Sequence, residues 1–255
     1  MSKISWTGKT WNPITGCTKL SSGCKNCYAE RETERCIRRG QKKYQAGFDK
    51  VVCHSECLIN PQLKWRSKSK MVFVNSMSDT FHKDVPDEFI LKMFSVMAAN
   101  PDYIFQVLTK RSDRLAEMAP NLPWPKNIWA GVTVENQKVQ YRIDDLRSVP
   151  AEVKFLSIEP LLESIPNLDL SGIDWVIVGG ESGKDSRPMK PEWVDNIRWQ
   201  CHEALVPFFF KQWGKKANNP DPSDPTSRKK GGKMLWGEIV QEYPYAVDYL
   251  NESAA

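Results

Sequence analysis

Met71-Val72-Phe73-Val74, followed at once by Asn75-Ser76-Met77-Ser78-Asp79, sets the pattern that decides the fold. A short apolar, β-branched or aromatic run ends in polar residues, and the unit recurs. Ile104-Phe105-Gln106-Val107-Leu108 precedes Thr109-Lys110-Arg111, and Ile128-Trp129-Ala130-Gly131-Val132 precedes Thr133-Val134-Glu135-Asn136. Lys154-Phe155-Leu156-Ser157-Ile158 leads to Glu159-Pro160, Trp175-Val176-Ile177-Val178 to Gly179-Gly180-Glu181-Ser182, and Phe208-Phe209-Phe210 to Lys211-Gln212-Trp213. Short, nearly continuous apolar runs read as parallel strands buried on both faces. Between the first two, Phe89, Ile90, Met93, Phe94 and Met97 fall on one helical face behind Pro86, which suits a first turn. Residues 191–205 carry a similar stripe of Trp193, Val194, Ile197, Cys201 and Leu205, which reads Cys201 as packing.

This alternation specifies an α/β fold with a parallel sheet, either doubly wound or barrel-like. Polar groups after six successive strands favour a parallel (β/α) barrel, since barrel sites lie at the C-terminal strand ends. The expectation is a partial, TIM-like barrel of about six or seven strands. Residues 1–255 read as one domain, with 1–70 as an N-terminal, metal-binding segment and 214–255 as an irregular extension. Within 1–70 a helix is expected from Tyr28 to about Arg39.

Working toward the N-terminus, Gly16-Cys17-Thr18-Lys19-Leu20-Ser21-Ser22-Gly23-Cys24-Lys25-Asn26-Cys27-Tyr28 places three cysteines within eleven residues. Three thiolates can hold three irons of a cubane cluster and leave the fourth open, whereas a closed structural site supplies four ligands. The alternative joins Cys24 and Cys27 to Cys53 and Cys57 around zinc; it leaves Cys17 idle across a 25-residue spacer. His54 and Glu56 beside Cys53 and Cys57 keep a small accessory metal site open, with Cys36 a spare thiol.

Seven cysteines without a signal-peptide-like N-terminus point to metal or redox chemistry in the cytoplasm, and no apolar run approaches membrane-spanning length. The net charge of +5 is unevenly spread. Lys64, Arg66, Lys68 and Lys70 form a run with no acid, and Arg228-Lys229-Lys230 with Lys233 form another. Trp65 and Trp236 nearby make phosphate attraction and base stacking a hypothesis, against the plainer reading of solvated loops.

The string Trp11-Asn12-Pro13-Ile14-Thr15-Gly16-Cys17, continuing through Gly23-Cys24-Lys25-Asn26-Cys27-Tyr28-Ala29-Glu30, resembles the opening of a phage-associated three-cysteine-motif protein family. Phe73–His82, Leu108–Arg111, Gly131–Asn136, Ser157–Leu161, Val178–Gly183 and Phe210–Gly214 are similar to that family's other blocks in the same order. The resemblance covers most of residues 4–245 and implies a radical S-adenosylmethionine-like protein, distantly similar to the spore photoproduct lyase group. The six residues between Cys17 and Cys24 exceed the three of the commonest superfamily signature, while the closing Cys-x2-Cys is retained.

By this resemblance Cys17, Cys24 and Cys27 would hold a 4Fe-4S cluster. S-adenosylmethionine would chelate the open iron, and an external electron donor would drive its cleavage to a 5′-deoxyadenosyl radical. Asn75, Ser76, Thr109 and Thr133 would bind the cofactor, and Lys110 would pair with its carboxylate. Glu135, Asn136 and Glu159 would accept from its amino group, its ribose or the substrate. Asp79, Lys110 and Glu135 are the expected catalytic residues, with Asp79 and His82 a candidate acid/base pair. The substrate class expected is a nucleotide or nucleic-acid base; the alternative is a metal-stabilised nucleic-acid-binding module without turnover.

Overall fold

Each of the six apolar runs forms a strand in the computed structural model, which describes residues 4–59, 61, 69–183, 185–227 and 231–244. Among these residues the strands are β1 (Lys9–Trp11), β2 (Ile14–Thr15), β3 (Val52–Cys53), β4 (Met71–Val74), β5 (Ile104–Thr109), β6 (Ile128–Thr133), β7 (Lys154–Ile158), β8 (Trp175–Gly179) and β9 (Phe208–Gln212). The helices are α1 (Tyr28–Arg38), α2 (Asp87–Ala98), α3 (Ser112–Met118), α4 (Arg142–Arg147) and α5 (Pro191–Glu203). One seven-stranded sheet has the order β1-β4-β5-β6-β7-β8-β9. Among the described residues no strand of this sheet is inserted out of chain order. That is the one-way winding of a partial barrel; a doubly wound sheet reverses direction at a switch point. No described helix is long and apolar enough to cross a membrane.

The chain divides into two compact units. The first comprises Met1–Leu20, Cys27–Gly131 and Ser148–Glu152. In it β1, β4 and β5 pair in parallel, with Thr10 opposite Phe73 and Phe73 opposite Gln106. Helix α2 buries Phe89, Ile90, Met93, Phe94 and Met97, the stripe its sequence specified. Asp87 and Glu88 occupy its first turn, where the macrodipole favours negative charge.

The second unit comprises Ser21–Asn26, Val132–Arg147 and Val153–Ala255. Strands β7, β8 and β9 pair in parallel, with Leu156 opposite Val176 and Ile177 opposite Phe209. Trp175 is fully buried, 5.9 Å from both Phe155 and Phe209, and its indole donates to the Glu242 carbonyl at 2.9 Å. The segment 240–242 runs along the free side of β9. Phe210 N–H donates to Val240 O at 2.8 Å, and Glu242 N–H to Phe208 O at 3.1 Å.

Two expectations are corrected. Helix α5 ends at Glu203, so Leu205 leaves the apolar stripe: it is 90% exposed, with φ of +55°. Val206, not Leu205, turns back into the core. The three-residue strand β1 was not anticipated, because Lys9-Thr10-Trp11 carries no apolar run. Cys201 is packed as expected, and burial pushes its thiol pKa up to about 12.

Candidate functional site

In the first unit the chain leaving β4 is held by its own polar residues. Asn75 adopts φ of +56°, a conformation Asn tolerates better than most residues. Its Oδ1 accepts from the Ile14 amide at 3.2 Å, and its Nδ2 donates to Thr80 Oγ1 at 2.8 Å. Ser76 donates to Asn12 Oδ1 at 3.0 Å, and its carbonyl accepts the Tyr28 hydroxyl at 2.6 Å. Asp79, 8% exposed, accepts from Thr109 Oγ1 at 2.7 Å, from Phe81 N–H at 3.0 Å and from Lys110 N–H at 3.2 Å. These bonds make Asp79 the tie between the β4 and β5 exits. Asn75, Ser76, Asp79 and Thr109 are thus brought together with the Lys110 backbone.

His82 is not bonded to the Asp79 carboxylate. Its Nδ1 accepts from the Asp84 amide at 3.2 Å, which leaves the proton on Nε2, 2.8 Å from Thr18 Oγ1. Burial, and then the Arg111 charge, hold the His82 pKa below its ordinary value. Arg111 Nη2 donates to both the carbonyl and the hydroxyl of Thr18 at 3.1 Å. The residue after Cys17 is therefore fixed from two sides.

In the second unit the exits of β6, β7 and β8 each carry a glutamate matched to a cation. Glu135, with no exposed surface, meets Arg142 Nη1 at 2.9 Å, and the same nitrogen donates to Thr133 O at 2.8 Å. Glu159 accepts from Ser157 Oγ at 3.2 Å and meets Lys211 Nζ at 2.5 Å. Glu181 takes Arg187 through its side chain and amide, and Asn26 Nδ2 at 2.9 Å. Burial pushes the Glu181 carboxyl up, but the bonds from Arg187 and Asn26 together outweigh it and leave its pKa lowered. Gly180 admits this arrangement because a Cβ there would lie 2.3 Å from the Trp213 carbonyl oxygen.

These residues also grip the middle of the thiol loop. Gly23 N–H donates to Glu135 Oε1 at 3.2 Å, Asn136 Nδ2 to Ser22 Oγ at 2.7 Å, and Arg187 Nη2 to Ser22 O at 2.9 Å. Arg142, Arg187, Asn26 and Thr18 were not singled out from the sequence. Their signal, an arginine six or seven residues after a strand-exit glutamate, is visible only once the glutamate's burial is known.

None of the seven cysteines is in a disulfide, and Cys17, Cys24 and Cys27 are each partly exposed. Three soft thiols on one loop suit iron–sulfur chemistry. As the side chains stand, however, no three His, Cys, Asp or Glu among the described residues are gathered to hold a metal ion. Around the spare thiols, His54 Nε2 lies 2.8 Å from Thr15 Oγ1, and Lys43 Nζ donates to Cys57 Sγ at 3.1 Å. Lys64, Trp65, Arg66, Lys68 and Arg228 through Lys230 lie outside the described residues. Trp236 is exposed, with its indole donating to Asp195 at 2.8 Å.

Fold and loop together define an α/β protein of partial-barrel winding that carries three thiols, none in a disulfide, on one N-terminal loop. Residues 1–244 match the family model described as "Protein of unknown function (DUF5131)", and the chain belongs to that family. No curated protein and no solved structure matches the chain.

Proposed function

We propose that this protein is a radical S-adenosylmethionine-like iron–sulfur enzyme of TIM-like partial-barrel type, acting on a nucleotide or nucleic-acid base. The observation that carries the reading is the thiol loop, with three partly exposed cysteines outside any disulfide and polar residues held beside each. Cys17, Cys24 and Cys27 would hold a 4Fe-4S cluster, which when bound would supply an open iron for the amino and carboxylate groups of S-adenosylmethionine and an electron for its sulfonium. The chain's part is to position. Thr18 is fixed by Arg111 and His82, Ser22 by Asn136 and Arg187, Asn26 by Glu181, and Tyr28 by the Ser76 carbonyl. The resemblance to phage-associated proteins supports the same assignment.

Anaerobic reconstitution should load about four irons and four sulfides per chain, as an open-site cubane requires. Cys17→Ala should lower that loading. Stoichiometric zinc in protein purified without oxygen, or full metal retention by Cys17→Ala, would reject the assignment. A second reading, a metal-stabilised nucleic-acid-binding module without turnover, draws support from the commitment of Asn75, Asp79, Thr109 and Glu181 to protein partners. Cluster-loaded protein that retains nucleic acid yet shows no S-adenosylmethionine binding would select it.

A further inference from the structure

At the N-terminal edge of β1, β4 and β5, opposite the exits described above, the first unit holds two ammonium groups on one aromatic ring. Lys9 opens β1, Lys70 immediately precedes β4, and Tyr103 immediately precedes β5. Lys9 Nζ lies 4.7 Å from the Tyr103 ring centroid, and Lys70 Nζ lies 5.0 Å from it. The backbone enforces the juxtaposition. Ile104 N–H donates to Lys70 O at 3.0 Å, and Gly8 approaches Ser69 so closely that a Cβ on Gly8 would fall 2.1 Å from the serine side chain.

Lys9 is 7% exposed, and its buried Nζ has no hydrogen-bond partner. Among the described residues neither lysine forms an ion pair, and the neighbouring acid, Asp102, is exposed and also unpaired. A ring face attracts one cation. Two cations on one ring repel each other, and an ammonium withdrawn from water without an acceptor is unfavourable. Burial, and then the Lys70 charge, hold the Lys9 pKa down accordingly.

We infer that Lys9, Lys70 and Tyr103 form a subsite for a phosphoryl oxyanion, entered from the exposed Lys70 side. An oxyanion placed against both ammonium groups supplies the missing acceptor for Lys9 and cancels the repulsion between them. Two point charges with three donors each suit a multiply charged group with several oxygens. In sequence Lys70 ends an acid-free run with Lys64, Arg66 and Lys68, so the phosphoryl group can belong to a small phosphate or to a nucleic-acid backbone. The inference stands apart from the thiol loop and does not depend on a cluster.

The test uses full-length protein with 13C,15N-labelled lysine, the Lys9 and Lys70 signals being assigned by Lys9→Met and Lys70→Met. Inorganic pyrophosphate and a short single-stranded oligodeoxynucleotide are titrated separately at constant ionic strength. Both lysine signals should shift and saturate with at least one probe, and Lys70→Met, an exposed substitution, should weaken that binding about tenfold, the scale of one charge-assisted hydrogen bond. Saturation by pyrophosphate alone assigns a small phosphate; tighter, salt-sensitive binding of the oligodeoxynucleotide assigns a nucleic-acid backbone. No saturable shift with either probe, or an unchanged midpoint in Lys70→Met, overturns the inference even if Lys9→Met fails to fold.

Discussion

In the first unit the acid at a strand exit, Asp79, accepts from the Thr109 hydroxyl and the amides of Phe81 and Lys110; in the second, Glu135, Glu159 and Glu181 each meet a cation. Neutral donors divide the work of satisfying one carboxylate, so losing one leaves the others. A buried ion pair is less forgiving, because removing either partner strands the other's charge away from water. Arg142 shows this most sharply: its Nε has no hydrogen-bond partner, so its buried guanidinium is answered through Nη1. Each unit also restrains its own stretch of the thiol loop, the first through Thr18 and the second through Ser22, Gly23 and Asn26.

The largest effect expected is from Arg142→Met, which removes the cation facing the buried Glu135 carboxylate and should cost about 3–5 kcal/mol in chemical denaturation. Asp79→Asn should cost less, about 1–3 kcal/mol, because an amide side chain still meets the Thr109 hydroxyl. If the two costs prove equal, the contrast between the units fails.

The next effect is a pH dependence carried by two imidazoles of the first unit. His82 has a folded pKa below its ordinary 6.5, through burial and then the Arg111 charge. The unfolded chain therefore binds the proton more readily, and the stability His82 contributes is complete above about 6.5 and falls as pH drops toward the folded value. Each imidazole can contribute a slope of at most about 1.4 kcal/mol per pH unit. His54 has the same sign, its pKa lowered by burial and then by Lys43. Denaturation midpoints across pH should show a shallower slope in His82→Gln, and an unaltered slope would remove His82 from this account.

The smallest effect separates the two halves of the loop. Asn26→Ala should speed alkylation of Cys24 about fivefold and leave Cys17 alone, whereas Thr18→Val should do the reverse, the scale of about 1 kcal/mol of lost hydrogen bonding. Equal changes at both thiols would mean that the loop is restrained as one piece.

The strand runs were legible because buried parallel strands need apolar residues on both faces, and Trp175–Gly179 or Ile128–Thr133 supplies them without interruption. Strand β1 was hidden because one of its three residues is a buried lysine. The end of α5 was misplaced because the apolar period continues past Glu203 with no glycine to mark the left-handed Leu205. At the strand exits the polar positions were legible, but their partners were not. Asp79 meets Thr109 from 30 residues away, and Asn26 meets Glu181 from 155. Such pairings are set by strand order, which local pattern does not encode, so the expectation of open cofactor contacts left out how fully these groups satisfy one another.

The segment 240–242 lies along β9 as an extra, unnamed strand would, with Gln241 bridged antiparallel to Phe209. A sheet edge left bare offers its amides and carbonyls to any passing chain. These few residues occupy the hydrogen-bonding groups of the Phe208-Phe209-Phe210 edge, so removing them would offer that edge to a neighbouring chain.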